Sequence, residues 1–493
     1  MSEAGRIRTI AVAGGGVVGV SAALAFARAL PDAKVELIDL APPGNALADR
    51  MTGTLPAIRH FHRLVGIGEP ELVREAGTGY RIGTRFDQWS ADGEPWYHCF
   101  GRHGAQLKSS PFQHQWARAR RAGRALPFDR YAPVAAMARA NKFVHPVEDQ
   151  RSLLASFDYA LRLNPESYRQ LLLRHAAGAG VRATDGSITD AQLDADGCLA
   201  HLVMADGSRV EADLFIDCAG PSAPILSLLD DRFDDWSEYL PCDRLLFTLE
   251  KCSAPSPVDE FAATDSGWRC AIPLLATTVR AAAFCSAITK EADARRVHAP
   301  NGEAAELVAI RPGRRPDAWV RNVIAFGDAA VAVDPLESCN LYLAQSAIHR
   351  AVSLLPGADF QPLALREYNR RTRAETERVR DFIAVHYLAT RRDTGAFWQA
   401  MKGRERPDSL AHALEQFEGR GRLAKFEEES FEDDSWLAVL LGLGLEPRRI
   451  DPTADKVDFE ESIAMLDRMA RMSDSVPGQL PDFSLYLAQL KAG

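Results

Sequence analysis

Gly14-Gly15-Gly16-Val17-Val18-Gly19 sets glycines in the order G-x-G-x-x-G, between the apolar run Ile7 to Ala13 and the small-residue run Val20 to Ala27. The first run reads as a buried strand and the second as a helix. A loop in that setting makes a tight turn, lets a backbone approach a pyrophosphate, and aims a helix N-terminus at its charge. A second strand, Lys34 to Asp39, ends in Asp39. That carboxylate falls about 20 residues past the loop, where it can accept from a ribose hydroxyl. Strand, loop, helix, strand and acid together predict a dinucleotide site; Gly14, Gly16, Gly19 and Asp39 are its candidate residues. The plainer alternative is a glycine turn that binds nothing. Two later stretches add to it. The apolar strand before Ile216-Asp217-Cys218-Ala219-Gly220 stops at a glycine that permits close backbone approach. Gly327-Asp328-Ala329-Ala330 brings a further carboxylate after a buried strand, which otherwise caps a local turn.

The elements that must position these residues are legible in outline. Residues 54–66 have helical apolar spacing, and 78–89 alternate as a strand. The segment Phe157 to Ala177 reads as helix, and residues 197–212 as a hairpin turning at Asp206-Gly207. Residues 340–354 and 364–393 read as helices, and the remaining C-terminal part as mostly helical, with a solvated acidic stretch from Glu427 to Asp434. At 493 residues the chain has room for two or three domains. The net charge of -9 argues against a nucleic-acid partner. Eight scattered cysteines without a C-x-x-C suggest a reducing compartment and no metal site. Without a signal-peptide run or a spanning apolar stretch, the expectation is a cytoplasmic protein with no membrane contact.

Several stretches in order resemble the flavin-dependent tryptophan halogenases, which lie within the para-hydroxybenzoate hydroxylase-like flavoproteins. Leu214 to Gly220 resembles D-L-F-I-D-C-S-G, and Ser237 to Asp243 resembles S-D-Y-L-L-C-D. Gly267 to Pro273 resembles W-x-W-x-I-P, Asp334 to Ser338 resembles E-P-L-E-S, and Arg380 to Tyr387 resembles R-D-F-x-x-x-H-Y. Phe397-Trp398, Ser435-Trp436 and Gly442-x-Gly444 match later positions. The resemblance implies an α/β fold: an FAD-binding Rossmann-like domain of the GR2 type (residues 1–230 and 310–360), a substrate-side sheet (231–309) and a helical C-terminal region (361–493). It implies that FAD is held by Gly14, Gly16, Gly19, Asp39, Gly220, Gly327, Asp328 and Pro335, with Asp328 at the ribityl hydroxyls. It further implies that a separate flavin reductase supplies reduced FAD, that oxygen and chloride or bromide give hypohalous acid, and that the acid reaches an indole- or phenol-like substrate. A homodimer is a further expectation.

The departures from the family lie at the chemistry. Its Y-K-x-A-x-K-F-x-x-W reads Tyr80-Arg81-Ile82-Gly83-Thr84-Arg85-Phe86-Asp87-Gln88-Trp89 here, so the family's lysine falls on Arg81. Lysine can lose a proton when buried and become a nucleophile; arginine keeps its charge. Arg81 can therefore steer an oxidant by hydrogen bonds, or form a structural ion pair. Glu337 matches the glutamate that orients the electrophile or takes the ring proton, with Arg81 as a conceivable salt-bridge partner. The halide is expected at Ser338 and Cys339, before Asn340, where the family has Ser-Thr-Gly. Trp96 to Gly101 resembles Y-H-S-F-G, so His98 and Phe100 would sandwich the substrate ring, with Trp436 as another wall. The second tryptophan of W-x-W-x-I-P is Cys270, which weakens the barrier between substrate and flavin. Three readings stay open: a halogenase, a halogenase-fold monooxygenase that uses no halide, and a non-catalytic flavoprotein.

Overall fold

The apolar strand Thr9–Ala13 has parallel neighbours on both sides, Leu214–Asp217 and Lys34–Asp39. Parallel strands need a crossover, and helix Val17–Ala29 supplies it. Its residues 17–27 are all buried, which fits its run of alanines and valines. The structure is a computed structural model that describes residues 5–298 and 305–492. The six-stranded sheet runs Trp319–Val320, Val323–Ala325, Leu214–Asp217, Thr9–Ala13, Lys34–Asp39, Arg182–Asp185, parallel except at the first strand. Sequence-distant strands therefore end side by side, with Ala13 paired to Ile38 and to Asp217. Ligands of open parallel sheets bind beyond these carboxyl ends. The hairpin expected at 197–212 forms from Leu199–Met204 and Arg209–Glu211. Helix Pro165–Gly178 follows a short strand, Ala160–Arg162, so the helical stretch expected from Phe157 starts later.

The chain divides into two units. The first joins residues 1–78, 161–237 and 308–377, and holds the parallel sheet. The second joins 79–160, 238–307 and 378–493. The division follows strand pairing rather than chain order. Gly83–Asp87 pairs in parallel with Val258–Thr264 and antiparallel with Trp96–Cys99, which draws residues 79–160 into the second unit. The sheet there includes, in order, Arg244–Lys251, Thr277–Phe284, Gly267–Pro273, Val258–Thr264, Gly83–Asp87, Trp96–Cys99. Its register sets Asp259, Thr84 and His98 in one row across three strands, and Phe261, Phe86 and Trp96 in the next row on the same face.

Candidate functional site

In the first unit the glycines of the loop are required by what surrounds them. Gly14 has φ +130°, and a Cβ there would overlap the carbonyl of Cys218. A Cβ at Gly19 would overlap the carbonyl of Gly14, and one at Gly16 the carboxylate of Asp49. Gly220, at φ +93°, has Pro43 where a Cβ would go. Gly327 is also left-handed, at φ +62°, against Val18. Backbone ties fix the crevice: the Gly14 N–H donates to Ile38, the Gly15 N–H to Leu40 and the Cys218 N–H to Ala13.

Asp39 meets a partner that spacing did not announce. Arg169 Nη2 donates to both of its carboxylate oxygens at 2.7 Å, and its Nε donates to the Gly15 carbonyl. The pair flanks a cavity of about 410 Å³ that Gly16, Val17, Asp49 and Asp185 also line. Asp328 lies buried with Oδ2 accepting from the Ala48 N–H at 2.8 Å, while its Oδ1 has no hydrogen-bond partner. Burial, with the nearby Asp49 carboxylate adding to it, pushes the Asp328 pKa up to about 7. Asp217 is a different case. It is buried and accepts from the N–H groups of Ala219, Ile225 and Leu226, so it shapes the loop behind Gly220. A glycine turn leading into a helix N-terminus, an acid and arginine at the ribose end, and a buried carboxylate oxygen without a hydrogen-bond partner deeper in fit a flavin dinucleotide.

The loop after Pro335 carries unusual backbone. Glu337 and Ser338 are consecutive left-handed residues, at φ 63° and 60°. Neither is glycine, so each costs about 1–3 kcal/mol, a strain that marks functional loops. Glu337 is fully buried, and the Ser338 hydroxyl is buried without a hydrogen-bond partner. Helix Asn340–Ser353 begins after Cys339, whose side chain does not cap it. Asn340 instead donates to the Val333 carbonyl at 2.9 Å.

In the second unit Arg81 Nε stands 2.6 Å from Asp259 Oδ2, with both side chains 0% exposed. Arg81 Nη2 donates to Thr84 Oγ1 at 2.6 Å, and its guanidinium lies over the Phe100 ring, 5.0 Å from the centroid. His98 is edge-on to Phe100 and near Phe382, at centroid distances of 5.8 and 5.5 Å. Phe431 stacks face to face on Phe382 and lies 6.3 Å from His98. Trp436 meets Phe382 edge-on at 5.0 Å, one ring further out. Phe431 and Phe382 are walls of this box that the sequence did not single out; Phe382 stands inside the R-D-F stretch and could have signalled it. A separate cavity of about 400 Å³ in the second unit is lined by Trp96, Tyr97, Trp116 and Phe128 together with Ala438 and Gly442, and by none of the rings of the box. Trp268 is locked by its indole N–H, which donates to Tyr387 Oη at 2.6 Å, and Cys270 is buried on the same strand.

The family model of the tryptophan halogenases matches residues 9–459. The chain belongs to the tryptophan halogenase family. It is 27% identical to a tryptophan 7-halogenase, KtzQ, of Kutzneria sp., over 99% of each chain. Among solved structures it is similar to BrvH, a flavin-dependent halogenase from Brevundimonas sp., with a TM-score of 0.93, 31% identity and coverage of 98% and 99% of the two chains. It is also similar to Xcc4156, a flavin-dependent halogenase from Xanthomonas campestris, with a TM-score of 0.91, 30% identity and 98% of each chain covered. The α/β fold with an FAD-binding Rossmann-like domain is thus that of flavin-dependent halogenases. As in that family, the cofactor is FAD reduced by a separate flavin reductase. Among the described residues no helix is long and apolar enough to cross a membrane.

Proposed function

We propose that this tryptophan halogenase family member halogenates an indole- or phenol-like substrate, with Arg81 presenting the oxidant through hydrogen bonds. The buried Arg81–Asp259 pair carries the reading. A lysine becomes a nucleophile only by shedding a proton, whereas a guanidinium stays charged. The task left to a group that keeps its protons is donation, and the fork geometry of Arg81 is fixed by Asp259, Thr84 and Phe100.

The other roles follow from position. Gly14, Gly16, Gly19 and Gly220 let backbone close on FAD, Asp39 with Arg169 takes the ribose, Asp328 takes the ribityl hydroxyls, and Pro335 packs against the cofactor. Bound FAD supplies the electrons that activate oxygen. The left-handed Ser338 followed by right-handed Cys339 turns successive N–H groups to one side, which suits a halide. Glu337 accepts the proton that the ring loses on substitution. His98, Phe100 and Phe431 hold the ring. A cytoplasmic homodimer is part of the same reading.

The test is product mass. The protein is incubated with FAD, a flavin reductase, NADH, oxygen, an indole panel, and chloride or bromide. A halogenated product that disappears without halide is expected. Oxygen insertion regardless of halide would establish the monooxygenase reading instead, which Cys270 favours. Oxidation of reduced FAD by oxygen with release of hydrogen peroxide, and no substrate product with any substrate, would point to a non-catalytic flavoprotein.

A further inference from the structure

Asp49 lies in the short turn Leu47–Asp49 of the first unit. Its Oδ1 accepts from the Val18 N–H at 2.9 Å, in the first turn of helix Val17–Ala29. The N-cap of that helix, Gly16, has no side chain to offer, and a Cβ at Gly16 would overlap the Asp49 carboxylate. Asp49 thus serves the helix end from outside the loop, and glycine at 16 makes room for it. The carboxylate also lines the cavity shared by Gly16, Val17, Asp39 and Arg169. Backbone donors at the start of this helix are the ones a dinucleotide pyrophosphate uses. A carboxylate is favourable there for the same reason, as an anion at the positive end of a helix dipole.

We propose that Asp49 is an internal competitor for the pyrophosphate of FAD, so that binding the cofactor exchanges one anion for another at the Val18 N–H. The inference rests on the assignment of this crevice to FAD. It gives physical content to a cofactor that arrives from a separate reductase and must leave again. An open helix N-terminus would hold the pyrophosphate more tightly than one that already has a carboxylate to give up. The charged groups around Asp49 set the conditions. Arg169, itself tied to Asp39, favours its ionised form, while Asp328 and the Cys218 thiol also lie within electrostatic reach of it. Burial, opposed by the Val18 and Val17 N–H groups and by Arg169, pushes its pKa up to about 6. Above that pH the competitor is charged, so FAD affinity falls as pH rises, and binding takes up a proton.

The experiment measures oxidised FAD binding to the full chain by flavin fluorescence and calorimetry, each Asp49 variant being compared with the parent at the same pH so that titration of Asp328 is common to both. Asp49→Asn keeps the shape and removes the charge; Asp49→Ala removes the carboxylate. Both are expected to bind FAD about tenfold more tightly at neutral pH, the ratio that one pKa unit of differential interaction supplies. The advantage should vanish near pH 5, where the parent Asp49 is protonated. Weaker binding by both variants would overturn the proposal by making Asp49 a ligand of FAD. Equal affinity with equal pH dependence would also overturn it. Should neither variant fold, proton uptake by the parent decides, read by calorimetry in two buffers of different ionisation enthalpy. Uptake on binding just above pH 6 is expected, and none would refute the exchange. A parent chain that binds no FAD at any pH refutes the cofactor assignment itself.

Discussion

Removing Asp259 tests whether Arg81 is held as an ion pair. The two side chains are wholly buried, and Nε to Oδ2 is 2.6 Å. At that separation and an effective dielectric of about 20, two unit charges attract by roughly 6 kcal/mol. Desolvating both ions consumes much of this, so the pair adds little net stability over well-packed apolar residues. Deleting one partner is another matter, because it leaves the other charge buried alone. Asp259→Leu and Arg81→Met should each destabilise the second unit by about 3–5 kcal/mol. The double variant should lie close to the parent or above it, giving a coupling of about 6 kcal/mol or more, since neither single loss reappears in it. Guanidinium titration followed by tryptophan fluorescence reads this, since Trp89, Trp268 and Trp398 are all buried in the second unit. Single variants within about 1 kcal/mol of the parent, the range of an exposed pair, would show that no buried ion pair holds Arg81.

Three other outcomes follow from the same geometry. Gly14→Ala meets the Cys218 carbonyl and a left-handed backbone, so it should abolish FAD binding in a fluorescence titration even where the protein still folds. Asp328 is buried with a pKa of about 7 against 3.8 for the free side chain. Between those values the folded state holds a proton that the unfolded state has released, so stability falls as pH rises from about 4 to about 7, by roughly 4 kcal/mol in all. In the cofactor-free protein Asp328→Asn should flatten that slope and raise Tm near pH 8, which thermal scans across pH would show. Phe431→Ala removes a ring stacked on Phe382 beside His98; it should raise KM for an indole substrate about tenfold, in keeping with one aromatic contact and its buried area, while FAD binding stays unchanged.

How far the sequence reached can be judged residue by residue. The nucleotide crevice was legible because a glycine loop, a helix and an acid at fixed spacing are local signals, and the parallel sheet then had to form around them. Arg169 was not legible: it reaches Asp39 from a helix 130 positions away, and one arginine among many on a surface helix carries no mark. Arg81 was visible by its place in a motif, but its partner was hidden. Asp259 sits on a strand whose pairing with Gly83–Asp87 is a long-range event, and an acid in an alternating strand reads as solvent-facing. The aromatic box shows the same limit. Trp436 drew notice by its motif, while Phe431, five positions earlier in an acidic stretch that reads as solvated, is the ring packed nearer His98. Asp49 escaped for a related reason, since a carboxylate after a proline-rich loop gives no hint that it caps a helix about thirty residues upstream.

Whether Arg81 holds the oxidant by hydrogen bonds, without bonding to it, can be tested directly. The enzyme is charged with reduced FAD, oxygen and bromide in the absence of any aromatic substrate, desalted rapidly, and only then mixed with an indole. No halogenated product is expected after desalting, and full product when the indole is present from the start. In an Arg81→Lys variant a fraction of the oxidising capacity should survive the column. Halogenated indole from the desalted parent enzyme would mean a covalent nitrogen–halogen store, and would contradict a purely hydrogen-bonding role for the Arg81–Asp259 pair.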